Sequence, residues 1–201
     1  MFKKVYFEAL NDQEAENKAV SLLKVSSDRI AVNFIEELEN GVCKYEAYID
    51  VLLALEGKRY LQKILADLQI DAKIEVRTIT GKPELYFTIA SEENPLLIGK
   101  EGRTLDAIQT ILRSLLQEFV DEKLIVSVDI GNYKENRKKQ LEILAVKIAK
   151  EVSKTKITAS LKPMNAFERR VIHTKLSDWK HIETESIGEG ENRHLTVKYK
   201  A

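Results

Sequence analysis

Two short constellations in this sequence carry residue types that could hold a phosphodiester strand. The first is Gly99-Lys100-Glu101-Gly102, flanked by Ile98 and Arg103. Two glycines at this spacing allow a backbone reversal where side chains would clash, and leave amide N–H groups near the positive end of a following helix. That geometry favours an anion. Lys100 and Arg103 would add charge to the amides, and Ile98 would line a neighbouring apolar groove. The spacing does not fit a P-loop, which needs four residues between its glycines and a following Lys-Ser/Thr. The second constellation is Arg169 with His173, joined by Arg170. Residues four apart share a helix face, where arginine offers bidentate phosphate contact and a planar surface, and histidine adds hydrogen bonding or stacking. Alone, each pattern is weak: Gly-x-x-Gly is also an ordinary turn, and an isolated Arg-x-x-x-His is also a structural pair.

The charge distribution gives these patterns a context. The 201 residues carry 32 basic and 32 acidic side chains, so the net charge is zero. Residues 132–162, however, hold 9 basic and 3 acidic side chains, whereas residues 1–50 hold 6 and 10 and residues 51–131 hold 10 and 13. A local excess of six positive charges points to an anionic partner at one end of the chain. No run approaches the roughly 18 uncharged apolar residues of a membrane helix, and MFKKVYFEAL lacks an apolar signal core, so a cytoplasmic location without membrane insertion is expected. Cys43 alone can form no internal disulfide, and His173, His181 and His194 are not at zinc spacing, so neither metal nor cofactor is expected.

Hydrophobic periodicity defines the elements that must position these residues. The first fifty residues read as a strand (Phe2 to Glu8), a helix opened by Asn11 or Asp12 with Ala15, Ala19, Leu22 and Leu23 on one face, and two strands around a turn at Asn40 and Gly41. In those strands Ile30, Val32 and Phe34, then Cys43, Tyr45, Ala47 and Ile49, alternate inward. A helix with Tyr60, Leu61, Ile64, Leu65 and Leu68 follows, then strands Lys73 to Thr80 and Glu84 to Ala90 around Gly81-Lys82-Pro83. Asn94 and Pro95 open a short helix, interrupted at Gly99–Gly102 and resumed with the stripe Leu105, Ile108, Ile111, Leu112, Leu115, Leu116 and Phe119, before a strand Leu124 to Ile130.

Beyond Gly131 a helix from about Tyr133 to Lys154 places Leu141, Leu144, Ala145, Ile148 and Val152 on one side. Lys139, Lys147, Lys150 and Lys154 fall on the other, either as a solvated face or as a supporting phosphate-binding face. Asn165, with Glu168 three residues on, reads as a capping-box start for the helix carrying Arg169 and His173. Phe167 is expected in the core, Tyr133 and Trp179 are left between core and base stacking, and His181 and His194 fall in or beside a terminal hairpin. The reading is an α+β chain of three modules: 1–52 (β-α-β-β), 53–131 (α-β-β-α-α-β) and 132–201.

The order of elements around Leu97-Ile98-Gly99-Lys100-Glu101-Gly102-Arg103 resembles a type II KH domain. Arg169 and His173, within Pro163-Met164-Asn165 and Arg169-Arg170-Val171-Ile172-His173, followed by Glu183-Thr184-Glu185-Ser186 and Gly188-Glu189-Gly190, resemble the R-three-H domain. With the β-α-β-β head, the whole chain resembles the Jag family of bacterial proteins, also called KhpB or SpoIIIJ-associated proteins. The resemblance implies single-stranded RNA binding without enzymatic activity, a cytosolic setting, a role in cell elongation or division, and a small single-KH protein as partner. It carries the KH loop to Gly99, Lys100, Glu101 and Gly102, and the signature pair to Arg169 and His173. Family members often have a glycine-rich, lysine-containing turn where this chain has Glu39-Asn40-Gly41-Val42-Cys43-Lys44, and a long charged linker that is missing here.

Other readings stay open at this level. Single-stranded DNA could replace RNA, and the KH unit could dimerise or dock a partner with RNA incidental, which zero net charge and Glu101 would favour. A phosphoester hydrolase using His173 is poorly supported, because no paired carboxylates or nucleophile elbow accompany it.

Overall fold

The computed structural model describes residues 2–38, 41–79 and 81–200, and its strands pair into three separate three-stranded sheets within the expected α+β architecture. The chain divides into two compact units, Met1–Gly131 and Asn132–Ala201.

The first unit opens with β1 (Lys4–Ala9), α1 (Asp12–Leu23), β2 (Ile30–Glu37) and β3 (Cys43–Ile49), paired antiparallel in the order β1-β3-β2. Asn11 starts the helix by accepting a hydrogen bond at Oδ1 from the Glu14 N–H at 2.9 Å. Ala15 and Ala19 are small enough to bring α1 against the sheet, where the Tyr45 hydroxyl donates to Asp12 at 2.8 Å. Leu22 and Phe34, both expected inward, are exposed. Leu22 lies in the last turn of α1, and Phe34 sits on edge strand β2, where its ring meets that of Tyr45 in a T-shaped contact at 5.9 Å. Of the expected turn, Asn40 lies outside the described residues and Gly41 has φ 76°.

The same unit continues with α2 (Leu53–Asp67), β4 (Lys73–Thr78), β5 (Glu84–Ala90), α3 (Asn94–Ile98), α4 (Arg103–Gln117) and β6 (Ile125–Ile130). Central β5 is antiparallel to β4 and parallel to β6. A parallel pair needs a crossover, which α3 and α4 supply, so the loop between them lies on the crossover rather than on a hairpin. The strand expected over Lys73 to Thr80 ends at Thr78, and Thr80 lies outside the described residues. Phe87 and Ile89 of β5, Val128 and Ile130 of β6, and Leu61, Leu105, Leu112 and Leu116 of the helices form the core. Gly57 lets α2 approach closely, since a Cβ there would lie 2.5 Å from Phe87 Cζ. Ile111, at the margin of the α4 stripe, is exposed instead of buried. The Lys3 N–H donates to the Phe119 carbonyl at 3.0 Å and Arg29 pairs with Glu56 at 3.0 Å, joining the first sheet to the α2–α4 layer.

The second unit comprises α5 (Tyr133–Thr155), β7 (Ala159–Ser160), α6 (Ala166–Leu176), β8 (Ile182–Ile187) and β9 (His194–Tyr199), the strands antiparallel in the order β7-β9-β8. Leu141, Ala145, Ala149 and Val152 of α5 pack with Ile172, Leu176, Leu195 and Val197. Ala149 takes the buried place expected of Leu144, which lies at the margin of the buried arc and is exposed. Small residues at 145 and 149 let α6 approach α5, and the bulkier leucine is turned outward. Among the described residues no helix is long and apolar enough to cross a membrane.

Candidate nucleic-acid interface

In the KH loop, backbone shape comes first. Gly99 has φ 71° and ψ −176°, a region open essentially only to glycine. A Cβ at Gly99 would lie 2.1 Å from Thr104 Oγ1 and 3.1 Å from the Thr104 backbone nitrogen, so the chain passes directly against the first turn of α4. Lys100–Gly102 form a 3-10 turn in which Glu101 itself is left-handed at φ 55°, and Gly102 follows at φ 81° as the residue before α4. Gly102, itself buried, has no side chain with which to cap the first amides of α4, and no side-chain cap bond is made there. Lys100 and Arg103 are exposed beside it, and Ile98 is half-buried at the end of α3. All six expected residues therefore lie on one reversal of the chain, with two cations outermost. Glu101 is partly buried.

In the second unit, Asn165 caps α6 by accepting from the Glu168 N–H at 2.9 Å, as expected. The Glu168 carboxylate is only 4% exposed and is held by Arg137 of α5, whose Nε donates to Oε1 at 2.7 Å. The first turn of α6 thus carries a negative charge that is buried and neutralised from the core side. Arg169 is half-buried, and its Nη1 donates to the Met164 carbonyl at 2.7 Å, closing the loop that enters the helix. His173 is exposed, with Nδ1 at 2.5 Å from Thr184 Oγ1 of β8. The signature pair therefore shares a face as expected, but each member also makes a bond that holds the unit together. Arg170 is exposed and makes no ion pair among the described residues.

Lys139, Lys147, Lys150 and Lys154 are all exposed on the side of α5 opposite its buried alanines. Lys139 is engaged by Glu135 at 2.7 Å, a hydrogen bond that holds the Glu135 carboxyl below its usual range. The other three make no ion pair among the described residues. No group of three metal-ligating side chains occurs there either.

Three aromatic expectations resolve differently. Phe167, expected in the core, is 56% exposed on the first turn of α6, because Glu168, Val171, Ile172 and Leu176 fill the inward arc of that helix. Trp179 packs against the core of the unit, and Tyr133 is half-buried at the start of α5. His194 lies in β9 and His181 stacks on Tyr199 at 5.6 Å. Arg193 was not singled out by any motif, yet its carbonyl accepts from the Met164 N–H at 3.2 Å, which brings an exposed arginine to the loop before α6. Its distance along the chain left no local signal.

Comparisons with known proteins agree with this geometry. A family model for the KH domain of KhpA and KhpB matches residues 58–130, and the R-three-H domain model matches residues 139–199. A protein named RNA-binding protein KhpB from Bacillus subtilis is 35% identical over 200 residues, covering 94% of this chain and 95% of the relative. One of the same name from Clostridium symbiosum is 31% identical over 195 residues, covering 94% and 88%. A third, from Streptococcus pneumoniae, is 26% identical over 163 residues, covering 81% of this chain but 49% of the longer relative. With both domains matched in order on the two constellations and near full-length similarity at this level, the chain belongs to the KhpB family.

Proposed function

We propose that this protein binds single-stranded RNA without catalysing a reaction on it. The observation that carries the reading is the backbone of Gly99–Gly102. Left-handed residues deliver the chain to an uncapped helix start, with Lys100 and Arg103 exposed beside it. In this reading Gly99, Lys100, Glu101 and Gly102 clamp the strand's backbone, Ile98 lines the base groove and Arg103 adds a phosphate contact. Arg169, His173 and Arg170 present a second contact on α6, supported by Lys139, Lys147, Lys150 and Lys154. The names of the relatives support RNA over single-stranded DNA. We assign modules 1–52, 53–131 and 132–201, a cytoplasmic setting, a regulatory role tied to cell elongation or division, and a small single-KH protein as partner.

The test is fluorescence anisotropy with labelled single-stranded RNA pools at two salt concentrations. The wild type is compared with Lys100→Asp plus Glu101→Asp, and with Arg170→Ala. Contact with about three phosphates gives a slope near roughly −2 in log K against log salt. Binding that survives both variants at unchanged slope would refute the two-contact reading. A scaffold reading, with homodimerisation or docking through the KH unit, is favoured by the exposed Leu52 and Leu55 at the start of α2. It calls for self-association without a salt-dependent RNA affinity.

A further inference from the structure

We infer that Phe167 is a base-stacking platform of the second unit, and that Arg170, one turn further along α6, holds the adjoining phosphate. The inference rests on the RNA-binding reading above and deepens it. It starts from an anomaly: the helix directs a large aromatic ring to solvent while burying a glutamate at the next position. On a wheel of about 100° per residue, Arg169, His173, Ala166, Arg170, Thr174 and Phe167 span one continuous outward arc, with Glu168, Val171, Ile172 and Leu176 opposite.

A lone exposed aromatic ordinarily calls for no explanation. Here its surroundings have the charge of one partner class. Arg170 lies three residues on, exposed and without an ion pair among the described residues. The carboxylate nearest in sequence, Glu168, is buried on Arg137. Side chains alternate along β8, so Thr184, which meets His173 of α6, faces one side of the sheet, and Glu183 and Glu185 face the other. Glu185 is moreover paired with Lys198. The arc thus offers an aromatic face and a free guanidinium, with the acidic groups of its own helix and of β8 turned away. That combination matches a single strand, whose exposed bases stack on aromatic rings while its phosphates seek arginine.

The same geometry separates the roles of the two arginines. Arg169 spends one donor on the Met164 carbonyl, so besides its contact with the strand it also sets the entry of α6. Arg170 has no such task and is available to ligand.

The test measures binding of the full chain to a labelled random-sequence single-stranded RNA and to an abasic strand of the same length. Phe167→Ala is expected to weaken RNA binding by about thirtyfold, the middle of the range for loss of one stacked base, with the salt slope unchanged. The abasic strand should bind Phe167→Ala and wild type alike. Phe167→Trp should restore affinity and Phe167→Leu should not, because a leucine keeps apolar area without an aromatic face. Arg170→Ala should reduce the salt slope by about 0.7, the share of one phosphate on a single strand. Circular dichroism verifies that each variant keeps its fold.

Equal RNA affinity of wild type and Phe167→Ala, or full activity of Phe167→Leu, overturns the inference. So does loss of self-association in sedimentation with RNA binding intact, which would mark the ring as a protein contact. A wild type that binds no RNA removes the underlying function as well. A wild type whose binding falls with Lys100→Asp plus Glu101→Asp but not with Phe167→Ala removes the platform alone.

Discussion

Replacing Gly99 by alanine tests the claim that the KH loop is held by backbone geometry. Two costs add at this position. A residue with a Cβ at φ 71° and ψ −176° occupies a region that costs of order 1–3 kcal/mol. The new methyl would also stand 2.1 Å from Thr104 Oγ1, which can rotate away about χ1, and 2.9 Å from Thr104 Cβ, which cannot withdraw without moving the start of α4. A combined loss of about 3 kcal/mol is expected; with a urea dependence of about 2 kcal/mol per molar, the unfolding midpoint should fall by about 1.5 M. Gly81→Ala is the control. Gly81 also has positive φ, 76°, but nothing lies within 4 Å of its would-be Cβ, so only the left-handed penalty of about 1 kcal/mol applies. Thr104→Ala placed on Gly99→Ala removes the Oγ1 contact and leaves the Cβ contact, so it should recover only part of the loss. RNA affinity should fall with Gly99→Ala and not with Gly81→Ala. The reasoning is refuted if the two single variants lose the same stability.

Three further consequences concern an ion pair, a tyrosine and a lysine face. Arg137→Ala leaves the Glu168 carboxylate buried without that partner and should cost on the order of 2–3 kcal/mol in urea unfolding, discounted for the partial exposure of Arg137. Arg137→Leu combined with Glu168→Leu should lose less than the single variant, and an equal or greater loss would contradict the pairing. The hydrogen bond to Asp12, with burial, pushes the Tyr45 hydroxyl up to about 12 from its usual 10.0. A raised folded-state value means its stabilisation is complete below about 10 and lost between about 10 and 12, so the contact between α1 and β3 should loosen across that window. In Tyr45→Phe, near-ultraviolet circular dichroism of the remaining aromatics should show no such step. Charge reversal at Lys147, Lys150 and Lys154 should weaken all RNA sequences alike and flatten the salt slope; a change confined to certain sequences would assign the face to base reading.

What the sequence determined by itself is local in origin. Asn11 and Asn165 start helices because a side-chain oxygen needs only an N–H three residues away. Gly99 and Gly102 signalled a reversal because left-handed backbone is a property of single residues. The element order across 53–131 was legible because periods of two and 3.6 report which side of each element is apolar. Strand order lay beyond that reach, since β3 between β1 and β2, and β9 between β7 and β8, depend on pairings across long loops. The part-buried Arg137–Glu168 pair spans 31 residues and converts a residue read as a helix cap into part of the core. Once Glu168 is drawn inward by that long-range partner, helical geometry leaves Phe167 on the outer arc, against its own hydrophobicity. Arg193 reaches the α6 entry only through the β8–β9 hairpin. Periodicity places a side chain on a face of its element, but whether that face is covered depends on what the rest of the chain packs against it, which only the tertiary structure decided.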